Sequence, residues 1–309
     1  MKKIFIVLMF LGVTIIACNE KENIAITPVQ IDEQVAFAEL QAQLDAYSVE
    51  FKASLPTVSI TGPQKVSWWK KLLTVVKADV AGAEAGGEAG KEIGTSVGEA
   101  VGGSVGGSVG GKVGEVIGGI VGAVSYSAQA IVAESSGSNS LSTLITTLNN
   151  GVPTTILLGT TSADSVGFFH NMVIAEMAKA DITNAKLQNI DSLVHYTAIT
   201  VGQLRGTSVS SILRDSVKSQ LVEDSPFLLS GTGNLFSKYE AKYSSLSGVS
   251  AIIETYFDNV ATLTSNEDIL SYTTGYRNTV VLSRISAAKK DVIIASLSVA
   301  INSFYLWNM

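Results

Sequence analysis

The sequence predicts an all-α fold, a helical bundle that carries a long helical hairpin, and three observations favour it. Apolar residues recur at steps of three and four along most of the chain, which is the helical period. The chain is 46% hydrophobic and only 16% charged, so it has enough apolar material for a core. Glycine recurs at every fourth position over residues 82–122, a spacing close to one helical turn.

The first seventeen residues are typical of a signal peptide. Lys2 and Lys3 precede an uncharged apolar run over residues 4–17. That run is shorter than the roughly 20 residues that a membrane-spanning helix needs, and it suits the hydrophobic region of an export signal. We therefore expect the chain to be exported.

Residues 15–18, Ile-Ile-Ala-Cys, resemble the lipobox of bacterial lipoproteins, although isoleucine stands where that family usually has leucine. The resemblance implies that Cys18 is acylated on its thiol and becomes the first residue of the mature chain. Membrane lipid would then be a partner, and the protein would lie in the bacterial cell envelope, at the outer membrane or the cell surface. A plain secretory signal or an uncleaved anchor, with an incidental cysteine, is the alternative. Cys18 is the only cysteine, so no intrachain disulfide can form.

Charge argues against nucleic acid as a partner. Without Lys2 and Lys3 the chain has 19 basic and 27 acidic residues, a net charge of −8. Binding to a phosphate backbone relies on clustered lysine and arginine, and the sequence contains no such cluster.

Composition shifts divide the chain into consecutive segments. We expect a signal peptide (1–17), a lipidated tether (18–30), N-terminal helices (31–80), a glycine segment (81–133), a linker (134–140) and a C-terminal helical bundle (141–309).

The predicted helices follow from local patterns. In the first, a stripe at helical spacing is formed by Phe37, Leu40, Leu44, Tyr47 and Phe51. The C-terminal part predicts helices over 164–179, 190–204, 209–221, 226–243, 249–263, 267–282 and 287–307, and a break of the fourth near Gly231 and Gly233 is the alternative to one continuous helix there. Among the signals for their starts are Ser225 before Pro226, and Ser265 as a capping residue.

The last predicted helix has no charged side chain after Asp291. A long stretch without charge is a property of membrane-spanning helices, so this helix has two interpretations. Serine and asparagine interrupt its apolar residues, at Ser296, Ser298, Asn302 and Ser303 among others. A helix buried in the protein core is the better interpretation.

Eleven glycines lie at strict four-residue spacing, and we interpret them as helix-packing positions. A small or β-branched apolar residue precedes each one, and five further glycines form a second, partial row. The eleven are Gly82, Gly86, Gly90, Gly94, Gly98, Gly102, Gly106, Gly110, Gly114, Gly118 and Gly122.

Geometry and energy together predict a hairpin. Each four-residue step advances the glycine stripe by about 40° round the helix, so a fold-back lets each arm carry only half of this winding. The glycine pairs at 102–103, 106–107 and 110–111 are the natural turning points. Sixteen glycines cost about 13–16 kcal/mol relative to alanine, so the segment must pack closely on another backbone or be disordered.

The repeat resembles bacterial glycine-zipper segments, including the helical hairpins of envelope lipoproteins. That resemblance implies close helix packing, with a second copy or an envelope protein as partner. The first arm departs from the membrane-spanning form, because it contains charged residues such as Glu84, Glu88 and Lys91. Residues 167–171 (GFFHN) and 303–307 (SFYLW) resemble uncharacterised exported proteins of Bacteroidetes, which transfers no function.

The sequence contains no recognisable catalytic or metal-binding motif. The two histidines, His170 and His195, lack the spacing of a metal site, and we interpret them as structural or surface residues. Val113 stands where a phosphate-binding loop needs serine or threonine. We therefore expect no cofactor and no enzymatic activity, and a structural or interaction lipoprotein. The alternative is a membrane-inserting, oligomerising factor that forms pores or acts against other bacteria.

Overall fold

A computed structural model describes residues 32–56, 63–134, 154–179, 189–230, 234–263 and 265–307. These residues form helices and contain no strand, so the predicted all-α class is confirmed. The helices are α1 (Glu33–Ser54), α2 (Pro63–Glu134), α3 (Ser165–Lys179), α4 (Ile190–Arg205), α5 (Ser211–Ser230), α6 (Leu235–Lys242), α7 (Val249–Val260), α8 (Asn266–Leu282) and α9 (Ala287–Trp307), with a 3₁₀ turn at Ser244–Leu246.

The described residues from Glu33 onward belong to one compact unit. The sequence suggested separate segments at 31–80, 81–133 and 141–309, and this division stays a prediction. Helix α2 continues across the proposed boundary at residues 80 and 81, and it packs against α3, α4, α5, α6 and α9. The buried faces of α2 and of the C-terminal helices share one hydrophobic core. The signal peptide, the tether and residues 135–140 of the linker lie outside the described residues.

Helix α2 folds back on itself and forms the predicted hairpin. Gly103, in one of the three predicted turning points, has a φ of +62°, a left-handed conformation that glycine adopts without steric cost. Two antiparallel arms result, residues 63–102 and 104–134, and their glycines face each other.

Helix α9 lies in the core, as its polar residues indicated. From Val292 to Leu306 almost all of its side chains are buried. Asn302 receives a hydrogen bond from the Ile156 backbone N–H (2.8 Å) and donates one to the Ile156 carbonyl (2.9 Å), so it holds the non-helical residues 154–158. Ser298 donates to the Asp164 carbonyl (2.6 Å) at the start of α3. Among the described helices, none has an apolar stretch sufficient to cross a bilayer.

Helix α1 closes one side of the bundle through an aromatic contact with α8. The Tyr47 ring stacks on Tyr272, with 5.5 Å between ring centroids, and its hydroxyl donates to the Tyr272 carbonyl (3.1 Å). Gly275 makes room for that ring, because a Cβ there would lie 2.7 Å from a Tyr47 ring carbon. Ser48 and the Tyr272 hydroxyl, 2.7 Å apart, complete the contact.

One predicted helix start is wrong. Pro226 lies inside α5, which continues to Ser230, and the next helix begins only at Leu235. Proline cannot donate to the carbonyl four residues earlier, which belongs to Val222. Ser225, predicted as a cap, instead donates its hydroxyl to that carbonyl (3.1 Å) and so satisfies the group that the proline leaves free. Ser265 does cap α8, where its side chain accepts from the Asp268 N–H (3.0 Å).

Candidate functional site: the glycine hairpin

Ten of the eleven glycines in register face one another across the hairpin. A Cβ added to either member of a pair would overlap the carbonyl oxygen of the other member; at Gly82, for example, it would lie 2.6 Å from the Gly122 oxygen. The eleventh, Gly102, lies at the turn beside Gly103. The reciprocal pairs are 82 with 122, 86 with 118, 90 with 114, 94 with 110, and 98 with 106.

This approach explains why glycine is required at these positions. With no side chain between the arms, each glycine Cα–H points at the carbonyl of the opposite backbone, a weak hydrogen bond that recurs where helices pack closely. The sum of these contacts and of dispersion offsets the low helix propensity of glycine. The two arms therefore form a close-packed rod rather than two solvated helices.

The second, partial glycine row has a different role. Three of its five glycines give space to the longer side chains of the opposite arm on one face of the hairpin. A Cβ at Gly107 would meet Glu99, and one at Gly111 would lie 2.5 Å from the Thr95 hydroxyl. Gly87 lies beside Glu115, with 3.8 Å between an added Cβ and the Glu115 Cγ. This face of the hairpin is therefore polar, and we call it the polar face.

The opposite face carries the apolar residues that precede each glycine in register. The arms are antiparallel, so these residues from both arms point to the same side. Near the bundle this side is covered, and the buried residues are Ala81, Ala85, Ala89, Ile117 and Val121. Towards the turn the equivalent positions are exposed, and the five valines there form what we call the valine face: Val97, Val101, Val105, Val109 and Val113.

The hairpin thus has a base inside the bundle and a tip outside it. Residues 81–90 and 116–127 are buried, whereas most of residues 92–113 are exposed or half-buried. The tip retains the glycine pairs at 94 with 110 and 98 with 106, so the backbone packing continues beyond the point where other helices cover it.

Buried carboxyl groups surround the base. Glu84 and Glu88 are only 3% and 5% exposed, and each accepts a hydrogen bond from a serine, Ser296 (3.2 Å) and Ser245 (2.8 Å) respectively. One oxygen of each glutamate has no hydrogen-bond partner. Both side chains line a cavity of about 30 Å³, together with Glu115 and other residues of α2 and α9. The cavity has room for a water molecule that would satisfy these oxygens.

Burial changes the ionisation of Glu84 and Glu115. It raises the pKa of Glu84 to about 8, against a weaker lowering effect of the Ser296 hydroxyl. Burial likewise raises the pKa of Glu115 to about 7. The charged forms are disfavoured because the surrounding helices replace water. Both carboxyls therefore hold a proton at a pH where an exposed glutamate is ionised.

A second buried polar group joins the first arm to α3 and α9. Asp79 and His170 are fully buried, with 3.7 Å between His170 Nε2 and the Asp79 carboxylate. Trp307 donates its indole N–H to the same carboxylate (3.1 Å). Burial raises the pKa of Asp79 and lowers the pKa of His170, so the interior favours the neutral form of each. His170 is buried on all sides, whereas His195 is exposed and its Nδ1 lies 2.9 Å from Arg214 Nη1.

The second arm is fixed to α5 by a buried carboxylate. The Tyr126 and Tyr239 hydroxyls both donate to Asp224, and Lys238 pairs with the same group. Burial raises the pKa of Tyr126 well above its usual value, so the hydroxyl keeps the proton that it donates. This contact holds the hairpin base in place.

The sequence did not single out Asp79, Glu84, Glu88 or Asp224 as buried groups. Glu84 and Glu88 are one helical turn apart, which places them on one face, but exposed Glu92 continues the same row. The spacing alone therefore contains no signal for burial. Within the described ranges, no three histidine, aspartate, glutamate or cysteine side chains converge as metal ligands would. The predicted lipidation residue, Cys18, lies outside the described residues.

Comparisons of the chain with protein-family models, with curated proteins and with solved structures found no match.

Proposed function

We propose that this chain is an envelope-anchored lipoprotein with a structural or interaction role, and that the tip of the glycine hairpin is its interaction element. The observation that carries the proposal is the continuation of the glycine pairs beyond the bundle. A rod that packs through its own backbone needs no other helix to keep its shape, so it can project from the body. The lipobox at residues 15–18 supports the anchor.

The buried base supports the same role. Five helices pack against α2, and Asp224 and Asp79 tie its two arms to the bundle. A projecting element held at its base by the core transmits force or position to the body instead of moving independently. Membrane lipid, through acylated Cys18, and an envelope protein or a second copy are the partners that this proposal includes. It includes no catalytic step.

The anchor is tested by mass spectrometry of the amino-terminal peptide after expression of the full chain in a bacterium. We expect a peptide that begins at Cys18 and carries a diacylglyceryl group on the thiol. The variant Cys18→Ala should lose this modification. An unmodified peptide that begins before residue 18 would overturn the lipoprotein assignment.

A second candidate is a membrane-inserting, oligomerising factor. The observation that favours it is the composition of the turn, because residues 100–111 carry no charge and expose valines. The neutral state of Glu84 and Glu115 below their raised pKa values would also lower the cost of moving the hairpin into lipid.

Dye release from vesicles separates the two candidates. A structural lipoprotein should release no dye, and Gly106→Leu should lower its thermal stability, because the new side chain overlaps the Gly98 carbonyl. Ala100→Leu adds similar bulk at an exposed position and should change little. Dye release that Gly106→Leu abolishes and Ala100→Leu preserves would favour the inserting factor.

A further inference from the structure

We propose that the valine face docks on the lipid surface of the bilayer to which the amino terminus is attached. This proposal deepens the proposed function and rests on it for one point, the lipid anchor at Cys18 that brings the chain to a bilayer. The docking itself is a property of the hairpin tip and needs no acyl chain.

The five valines form one continuous strip. Val101 and Val105, on either side of the turn, are 87% and 75% exposed, and the other three are between 52% and 62% exposed. Along the hairpin axis, the valines of the two antiparallel arms alternate. Val105 of the second arm, for example, lies between Val97 and Val101 of the first arm. Single exposed valines need no explanation, but a contiguous apolar strip on a projecting element marks a binding surface.

The tip is amphipathic. Its valine face contains no charged side chain, whereas its polar face carries Glu99 and Thr95. Glu92 projects from the outer side of the first arm, and Lys112 pairs with Asp291 of α9 (3.9 Å). A helical element with one apolar and one polar face lies in the plane of a membrane interface, with the apolar side buried about 5–10 Å.

The size of the exposed strip favours lipid over protein as the occupant of this face. Its five exposed valines are far fewer than the roughly 20–30 residues that each side of a stable protein interface provides. Lipid needs no complementary shape, so a narrow apolar strip suffices.

The length of the tether and the net charge of the chain indicate which bilayer and which lipid headgroups the valine face binds. Residues 19–31 separate Cys18 from the described chain, and extended they span up to about 45 Å, so the tether permits the body to reach the same bilayer. The mature chain has a net charge of −8, so anionic headgroups repel it. The face therefore fits zwitterionic lipid, and binding should not depend on lysine and arginine.

The test uses the mature chain with Cys18→Ser, so that no acyl group contributes, and co-sedimentation with phosphatidylcholine vesicles. We expect measurable partition, which falls when phosphatidylglycerol is mixed in. Val101→Ser with Val105→Ser should weaken partition about ten-fold or more, since both side chains lose most of their buried apolar surface. The matched control is Val49→Ser with Val222→Ser, the same changes at exposed valines on α1 and α5, which should leave partition unchanged.

Dyes attached at single positions test whether the valine face itself contacts the vesicle. In the chain with Cys18→Ser, an environment-sensitive dye on Val105→Cys should shift to the blue with vesicles, while a dye on Glu99→Cys should shift less. Absence of partition, or equal partition by both double variants, would overturn the proposal. So would a dimer in sedimentation equilibrium that Val101→Ser with Val105→Ser dissociates, because the face would then bind a second copy. Failure of acylation at Cys18 would leave this result unaffected.

Discussion

At the scale of single residues, the position of a glutamate along the hairpin decides whether its carboxyl group is buried or exposed to water. Glu84, Glu88 and Glu92 occupy the same place in three successive repeats, two residues after a glycine. The first two are buried against the bundle and the third is exposed. The buried environment of Glu84 removes water from its carboxyl, which raises its pKa to about 8.

The raised pKa predicts that stability decreases as pH rises. Between the ordinary value of 4.5 and about 8, the unfolded chain releases the Glu84 proton while the folded chain retains it. The free energy of unfolding therefore falls across this window. Glu84→Gln should make the protein more stable at pH 8 by about 2–4 kcal/mol and change little at pH 4. Urea unfolding at several pH values measures this difference.

The control for this prediction is Glu92→Gln, which changes the same side chain at an exposed position of the same row. It should leave the pH dependence as it is. Glu115 contributes with the same sign, so the slope in Glu84→Gln should shrink but not disappear. An unchanged slope in Glu84→Gln would show that the buried carboxyl does not retain its proton.

At the scale of the element, two neighbouring glycines of α2 have opposite requirements. A Cβ at Gly86 would overlap the Gly118 carbonyl oxygen and lie 3.0 Å from the Gly122 Cα, all of it backbone that cannot move aside cheaply. A Cβ at Gly87 would lie 3.5 Å from the Glu115 carbonyl oxygen, an ordinary contact. The first glycine is needed for the approach of the arms, and the second is not.

Alanine at these two positions should therefore change stability in opposite directions. Gly86→Ala should destabilise the protein by about 1–3 kcal/mol, because the arms must separate. Gly87→Ala should stabilise it by up to about 1 kcal/mol, because alanine favours the helix and fits the space. The two midpoints of urea unfolding provide the comparison. Equal effects of both changes would contradict the reciprocal backbone packing.

At the scale of the whole molecule, the hairpin joins a well-covered base to a tip that is held mainly by its own arms. Helices α3, α5 and α9 cover the base, and its side chains belong to the hydrophobic core. The tip contributes two of the five glycine pairs but no large buried side chain. Local opening of the tip should therefore cost less free energy than opening of the base.

Hydrogen exchange should show this gradient. Amides of residues 83–90 and 116–124 should exchange only through unfolding of the whole molecule, whereas those of residues 97–110 should exchange faster by local opening and still be protected relative to an unfolded chain. Mass spectrometry of peptides from the two regions measures it. Amides at the tip that exchange as fast as unfolded chain would contradict the packing of the arms and favour the disordered alternative.

Local pattern alone predicted much of this molecule. The four-residue glycine period requires close backbone contact whatever the partner is, because sixteen glycines in a solvated helix are too costly. Ser265 likewise predicted the start of α8, and the serine and asparagine residues of α9 predicted a helix buried in the core. The helical class and the hairpin could therefore be predicted without tertiary information.

Only the tertiary structure decided where the bundle stops covering the hairpin. The repeat is nearly uniform, so the sequence does not distinguish Glu84 from Glu92, or Val121 from Val105, yet the first of each pair is buried and the second is exposed. Burial depends on which helices from distant parts of the chain pack against each repeat. The four-residue period is a local property and does not predict that packing. The same long-range packing keeps α5 helical through Pro226. The periodicity of the sequence determined the rod, and the packing of the other helices determined which of its sections faces solvent.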